Sequence, residues 1–302
     1  MRLICFLLFL SPITILRAQP ARDAELQSRL ERLVAGFEGD VGLYVRHLPS
    51  GRTAFIHADT LFPTASMIKV PILLNLFDRI EKDSLRYHQT LVYRDSLLYE
   101  GEDILGSFKD GEEIDLSKVV MLMITTSDNT AALWLQHLGG TGTAINAWLS
   151  AHGFAGTRMN SRTPARRADW ERYGWGQTTP REMAELLVMI REGRAVSPAA
   201  SEEMYRTLTR IYWNDEALSQ IPPTVQAASK QGAVDASRSE VVLVNAPHGD
   251  YVFCVITNHQ ADTDWGHDNA GFVLLRDLSR LLWHYFEPAS TWRPAQGADK
   301  FW

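Results

Sequence analysis

Apolar residues recur along the chain first at helical spacing, then at strand spacing, and this alternation sketches the fold. Residues Ala24–Phe37 place Leu26, Leu30, Leu33, Val34 and Phe37 three or four apart, as in a helix with one buried face. Val41–His47 and Arg52–His57 read as strands joined by the turn-forming Pro49-Ser50-Gly51. From Ser66 to Lys82 the chain is densely apolar and ends in charges, which predicts a buried helix. Pro71 requires that helix to begin close by, because proline suits only a first turn. Helical spacing then dominates. Asp115 caps a predicted helix over Leu116–Thr125, and Thr130–Leu138 and Gly142–His152 continue the pattern. Thr179-Pro180-Arg181-Glu182 has the form of a capping box, with Thr as N-cap, Pro at N1 and Glu at N3. After Ser219 the texture returns to strands: Ala227–Ala233, Glu240–Asn245 and Tyr251–Asn258, with a turn at Pro247-His248-Gly249-Asp250. An amphipathic helix over Ala270–Phe286 ends the series.

A two-stranded hairpin is marginal alone, so the strands near the two ends of the chain must meet. The order predicts an α+β fold: one antiparallel sheet flanked by helices, with an all-helical region inserted. Residues 20–65 and 206–302 would form the α/β part and residues 66–205 the helical part, with a site between them. Thr157–Thr178 is polar, carries five arginines and lacks clean periodicity. A structureless stretch that long inside a compact region is expected to be either functional or wrongly assigned as structureless.

The extreme N-terminus has a different character. Met1-Arg2 precedes an apolar run from Leu3 to Leu16, too short for a membrane span and of the form of a secretory signal. Residues 1–19 are therefore expected to be removed, with cleavage near residues 18–20, and the mature protein is expected in the periplasm or outside the cell. The chain has 302 residues, with 30 basic against 36 acidic. Losing Arg2 and Arg17 leaves 28 against 36, a net charge of −8, and no basic block suggests nucleic acid or an anionic membrane. Losing Cys5 leaves Cys254 alone, in an apolar run, as a small buried residue rather than a thiol catalyst.

Three short motifs carry chemistry. Ser66 and Lys69 are three apart at a helix start, so hydroxyl and amine share a face, and a lysine of depressed pKa can serve as base for a serine. Alone this means little, since about one S-x-x-K is expected by chance in such a chain. Ser127-Asp128-Asn129 lies between two predicted helices. It reads either as an N-cap or as a hydroxyl and amide that relay a proton and hold a carbonyl. Lys230-Gln231-Gly232 lies on a predicted strand, followed by Ala233. It reads either as an edge lysine or as a source of positive charge beside a glycine that admits substrate. The N–H groups of Ala233 and Ser66 would then form an oxyanion hole. His259, His267 and Asp268 lack the spacing of a metal site, so no metal and no cofactor are expected. The nine tryptophans have no regular spacing and read as packing and surface residues.

In this order and spacing the motifs resemble those of the class A β-lactamases and penicillin-binding proteins, which carry S-x-x-K, S-D-N and K-T-G. Ser127 follows Ser66 by 61 residues and Lys230 follows Ser127 by 103. Thr64-Ala65-Ser66, Thr130-Ala131-Ala132, Thr157-Arg158-Met159 and Thr178–Ala184 extend the likeness over nearly the whole chain. The resemblance implies that Ser66 is acylated, Lys69 accepts its proton and Ser127 passes a proton to the leaving nitrogen. It further implies that Asn129 holds the substrate amide, and that Lys230, with Arg238, meets a substrate carboxylate. Substrates would be small molecules, a β-lactam or a D-Ala-D-Ala-like peptide, acted on by a monomer.

Two departures from the family pattern stand out. Gln231 replaces the hydroxyl residue of K-T-G. The family's deacylating glutamate lies in a pattern like E-P-E-L-N, where this chain has Thr163-Pro164-Ala165-Arg166-Arg167. Asp169, Glu171 or Lys69 would have to replace it. The resemblance thus implies an exported serine hydrolase that opens the β-lactam amide. A D-alanyl-D-alanine peptidase, or a penicillin-binding protein acylated and slowly released, remain as alternatives.

Overall fold

The computed structural model describes residues 21–99 and 103–301, so the expected export signal lies outside the described residues. Helix α1 (Ala24–Val34) begins at Asp23, whose carboxylate accepts the Leu26 N–H at 3.1 Å. Strands β1 (Asp40–His47) and β2 (Thr53–Ile56) follow as a hairpin, then the short β3 (Phe62–Pro63). A 3-10 turn over Ala65–Ile68 leads into α2 (Lys69–Glu81). The predicted buried helix therefore starts three residues later than Ser66, and Pro71 falls in its first turn, where its missing N–H costs nothing.

Strands β4 (Thr90–Val92) and β5 (Glu113–Asp115) pair with each other before α3 (Leu116–Met121), capped as expected by Asp115 through the Ser117 N–H at 2.8 Å. The helix predicted through Thr125 is α-helical only to Met121 and then widens into a π turn over Leu122–Thr126. That turn ends at Ser127 with φ +63°, a left-handed conformation that a serine adopts only where its surroundings impose it. Helices α4 (Asn129–Leu138) and α5 (Thr141–Ala151) complete the first helical layer.

The polar stretch at 157–178 contains structure of its own: β6 (Arg158–Met159), α6 (Arg167–Tyr173) and β7 (Gly176–Thr178). Its first residues are fastened by Glu182. Thr179 accepts the Glu182 N–H at 3.1 Å, but the Glu182 carboxylate does not return to Thr179 as a capping box requires. It accepts instead from the Ala155, Gly156 and Thr157 N–H groups at 2.5–3.1 Å and from Thr157 Oγ1 at 2.7 Å. Helices α7 (Pro180–Arg191) and α8 (Pro198–Leu208) lead to a 3-10 turn over Ala217–Gln220. Strands β8 (Ala227–Val234), β9 (Ser237–Val244) and β10 (Tyr251–Asn258) and helix α9 (Ala270–Phe286) close the chain.

The main sheet is antiparallel with strand order β2-β1-β10-β9-β8, and β1 closes on β10 from Asp40↔Asn258 to His47↔Tyr251. Both of its faces are covered. Leu43, Val45, Val242, Val244, Phe253 and Val255 pack against Leu26 and Leu30 of α1 and Leu275, Leu278 and Leu282 of α9. Tyr44, Val241, Leu243, Val252, Cys254 and Ile256 point the other way, into the core built around α2 and α7. Fully burying each such side chain contributes about 1.5–3 kcal/mol. A sheet buried on both sides has no polar face to alternate with, which is why β10 reads as an unbroken apolar run. Cys254 is fully enclosed there and burial pushes its thiol pKa well up. Among the described residues no helix is long and apolar enough to cross a membrane.

Candidate active site

The outer edge of β8 faces the 3-10 turn that carries Ser66, and the fit is close. A Cβ on Gly232 would lie 2.7 Å from Thr64 O, 2.9 Å from Ser66 N and 2.9 Å from Ser239 Oγ. Glycine at 232 is thus required by the approach of strand to turn, a reason the sequence does not display. From below, Thr64 N–H donates to Gly176 O at 3.0 Å, so β7 also fixes the turn. Ala65, just before Ser66, has φ +43°. Gly232→Ala should therefore push strand and turn apart. The expected cost is about 1–3 kcal/mol of stability, measurable in urea unfolding, together with slower reaction at Ser66.

Three segments converge on this point. Lys69 Nζ lies 3.1 Å from Ser66 Oγ, 3.0 Å from Ser127 Oγ and 2.7 Å from Asn129 Oδ1, and is also bonded to Ser127 O. Lys230 Nζ lies 3.1 Å from Ser127 Oγ, 3.0 Å from Gln231 O and 2.9 Å from Gln231 Oε1. Both lysines are completely buried. Burial disfavours the ammonium form and lowers the Lys69 pKa to about 7, against the opposing pull of Asp103 and Asp128. Burial, helped by the charge of Lys69, lowers Lys230 well below its ordinary value.

The partner set of Lys69 decides what it can do. Ser127 O and Asn129 Oδ1 can only accept, so they take the two N–H bonds of a neutral amine. Its lone pair is then left for the hydroxyls of Ser66 and Ser127. In its uncharged form, which a pKa of about 7 makes available near neutral pH, Lys69 in this arrangement can draw the proton from Ser66. Because Lys69 and Lys230 donate, the oxygens of Asn129 and Gln231 face them, and the amide N–H₂ groups are left to face the cleft.

The cleft in front of Ser66 has a volume of about 450 Å³, and Ser66, Ser127, Asn129, Gln231, Gly232 and Ala233 all line it. Eight of the nine residues singled out from the sequence thus come together. Arg238 does not join them. It is buried, it stacks on Trp265 at 4.4 Å and Phe272 at 4.6 Å, and its guanidinium donates to the carbonyls of Val234, Ser237 and Asp264 at 2.5–3.0 Å. With those hydrogens spent on backbone, it is a structural residue. It also explains why β9 begins at Ser237, three residues before the predicted start: the polar opening of the strand is satisfied internally.

Asp128 is the N-cap of α4, accepting the Ala131 N–H at 2.7 Å, and it also holds the Leu105 N–H at 3.0 Å. In the 163–167 segment, Arg166 binds Asn160 Oδ1 at 2.8 Å, Gln177 Oε1 at 2.9 Å and Asp169 at 3.0 Å. Glu171 pairs with Arg167 at 2.6 Å. Asp169 and Glu171 are therefore held by arginines of their own loop, and among the described residues neither bonds to Ser66 or Lys69.

Several cleft residues were not legible from the sequence. Asp103 lines the cleft with its Oδ2 accepting from Thr130 N–H at 2.8 Å and Thr130 Oγ1 at 3.1 Å. Asp215, Glu216, His267 and the rings of Trp213, Trp265 and Phe272 complete it. Two of the nine tryptophans, Trp213 and Trp265, are exposed and line the cleft, in keeping with their reading as surface residues. These residues carry no motif, and only the fold brings them together.

Known proteins share this architecture. Residues 25–286 match the model of the beta-lactamase enzyme family. Beta-lactamase VEB-1 of Pseudomonas aeruginosa is 20% identical over 279 residues, which cover 88% of this chain and 92% of that protein. The solved structure of PBP-A superimposes with a TM-score of 0.79 at 26% identity, covering 89% of this chain and 98% of that one; a variant of it is solved as an acyl-enzyme complex with penicillin G. A beta-lactamase from Sphaerobacter thermophilus DSM 20745 gives a TM-score of 0.75 at 23% identity over 86% of this chain and 95% of that one. With a family match that spans most of the chain, this protein belongs to the beta-lactamase enzyme family.

Proposed function

We propose that the protein is an acyl-enzyme-forming serine hydrolase that opens the amide of a β-lactam on Ser66 and releases the product slowly. The observation that carries this reading is the buried Lys69 amine, 3.1 Å from Ser66 Oγ, with its N–H bonds committed to carbonyl oxygens. Neutral Lys69 takes the Ser66 proton as Oγ attacks the carbonyl carbon. The N–H groups of Ser66 and Ala233 receive the oxyanion of the tetrahedral intermediate. Ser127, bridging Lys69 and Lys230, gives its proton to the leaving nitrogen as the amide C–N bond breaks, and Lys69 returns a proton to Ser127. The Asn129 and Gln231 amides orient the substrate.

Slow release follows from the loop. Where the family pattern has a glutamate, this chain has Thr163, whose hydroxyl is turned to Met159 O and Ser161 O at 3.1 and 3.0 Å. The acyl-enzyme complex of the PBP-A variant supports an adduct of this kind in the same architecture. The charged start and apolar run of residues 1–19 support export, so that the site meets its substrate outside the cytoplasm.

Intact-mass measurement after incubation with benzylpenicillin tests the proposal. A single adduct of the mass of the penicillin is expected, mapping to Ser66 and missing from Ser66→Ala. An adduct that persists in Ser66→Ala would place the chemistry elsewhere.

A further inference from the structure

The charges around the cleft are distributed against the substrate that the family resemblance implies. Asp103, Asp215 and Glu216 line it, with His267, and among the described residues no lysine or arginine does. The two lysines behind it are fully buried, with their hydrogen bonds directed to Ser66, Ser127, Asn129 and Gln231. Arg238, expected to meet a carboxylate, is engaged by backbone carbonyls. Glu216 is offset by Arg276 at 3.0 Å, and Asp103 and Asp215 are the lining carboxylates with no ion pair among the described residues. Asp215 has no hydrogen-bond or ion-pair partner among the described residues. Independently of the carboxylates, Trp213 and Trp265 stand exposed on the same cleft; Trp265 already carries the Arg238 guanidinium over its ring at 4.4 Å, and the Trp213 ring is a further favourable surface for a cation.

We propose that this cleft selects acyl donors that carry an ammonium group over otherwise identical uncharged ones. The inference rests on the acyl-enzyme reading, because it concerns what reaches Ser66. The cleft is small compared with the distance of about 10 Å over which charges act at 0.1 M salt, so its two acidic groups act on a cation anywhere within it. Rings and carboxylates then favour the same chemistry, a primary amine on the acyl or leaving portion.

Benzylpenicillin and its α-amino derivative differ by one ammonium group and serve as the probe pair. The second-order rate of Ser66 acylation, followed by intact mass, is expected to be about 5–10-fold higher for the amino compound at low salt. The ratio should shrink as salt rises, fall in Asp215→Asn where Asp103 alone remains, and fall further in Asp215→Lys. Circular dichroism of both variants checks that they fold. Equal rates for the two probes, or faster reaction of the uncharged one, overturn the charge selection while leaving acylation standing. Absence of any adduct from either probe overturns both proposals together.

Discussion

Lys69→Met is expected to slow acylation of Ser66 by about 10²–10⁴-fold, the range that a positioned general base contributes. Methionine fills the volume of the lysine stem without an amine, so the fold should survive, and near-ultraviolet circular dichroism checks this. The amine acts as a base only when uncharged, and burial holds its pKa at about 7. Acylation by the unsubstituted protein should therefore rise as the pH climbs through about 7 and level off above it. At lower pH the amine is an ammonium with no lone pair to offer. In Lys69→Met that rising limb should vanish along with most of the rate. Rates measured by rapid quench between pH 5 and 9 decide the matter. A flat profile in the unsubstituted protein, or acylation of Lys69→Met at the same rate, would remove Lys69 from the proposed role.

The second large effect separates the two halves of the reaction. A chromogenic cephalosporin is expected to give a burst equal to the protein concentration, then turnover slower by a further factor of about 10²–10⁴ for want of a base on water. The loop that would supply a carboxylate presents Arg166, bound to Asn160 and Gln177, and keeps Asp169 and Glu171 in ion pairs. Asp103 is the carboxylate nearest in character, yet Thr130 holds one of its oxygens through both N–H and hydroxyl. Stopped-flow absorbance with parallel mass spectra reads the outcome. Linear product formation from the first milliseconds, with no accumulated adduct, would show that some group in the cleft activates water efficiently.

Much of this is legible in the sequence alone. Helix starts at Asp115 and Thr179 announce themselves through caps whose chemistry is local, and the same is true of Pro71 in a first turn. Ser66, Lys69, Ser127 and Lys230 were legible because their spacing is that of a known pattern. What stayed hidden depends on distant segments. The π turn at Leu122–Thr126 has an ordinary helical composition, and its widening is fixed by what packs around it. Gly232, which reads as admitting substrate and does line the cleft, is also the point of contact between strand and turn. Arg238 looked like an anion binder, and only the position of Asp264, with the rings of Trp265 and Phe272, commits it elsewhere. Glu182 was expected to close a local capping box and is used 25 residues upstream.

The closure of β1 on β10 has a consequence for how the protein is made. Synthesis delivers Ser66 and Lys69 early, but β8 and its lysine come late, and the edge of β8 reaches the Ser66 turn only after β9 and β10 have joined a strand from the other end of the chain. Pairings of such high contact order form slowly and close to the end of folding. A nascent or half-folded chain thus carries the serine without the lysine pair and strand edge that would make it reactive. Under the proposed mechanism, reactivity at Ser66 would arrive only with completed folding, and the chain would be chemically silent until the whole of it is in place.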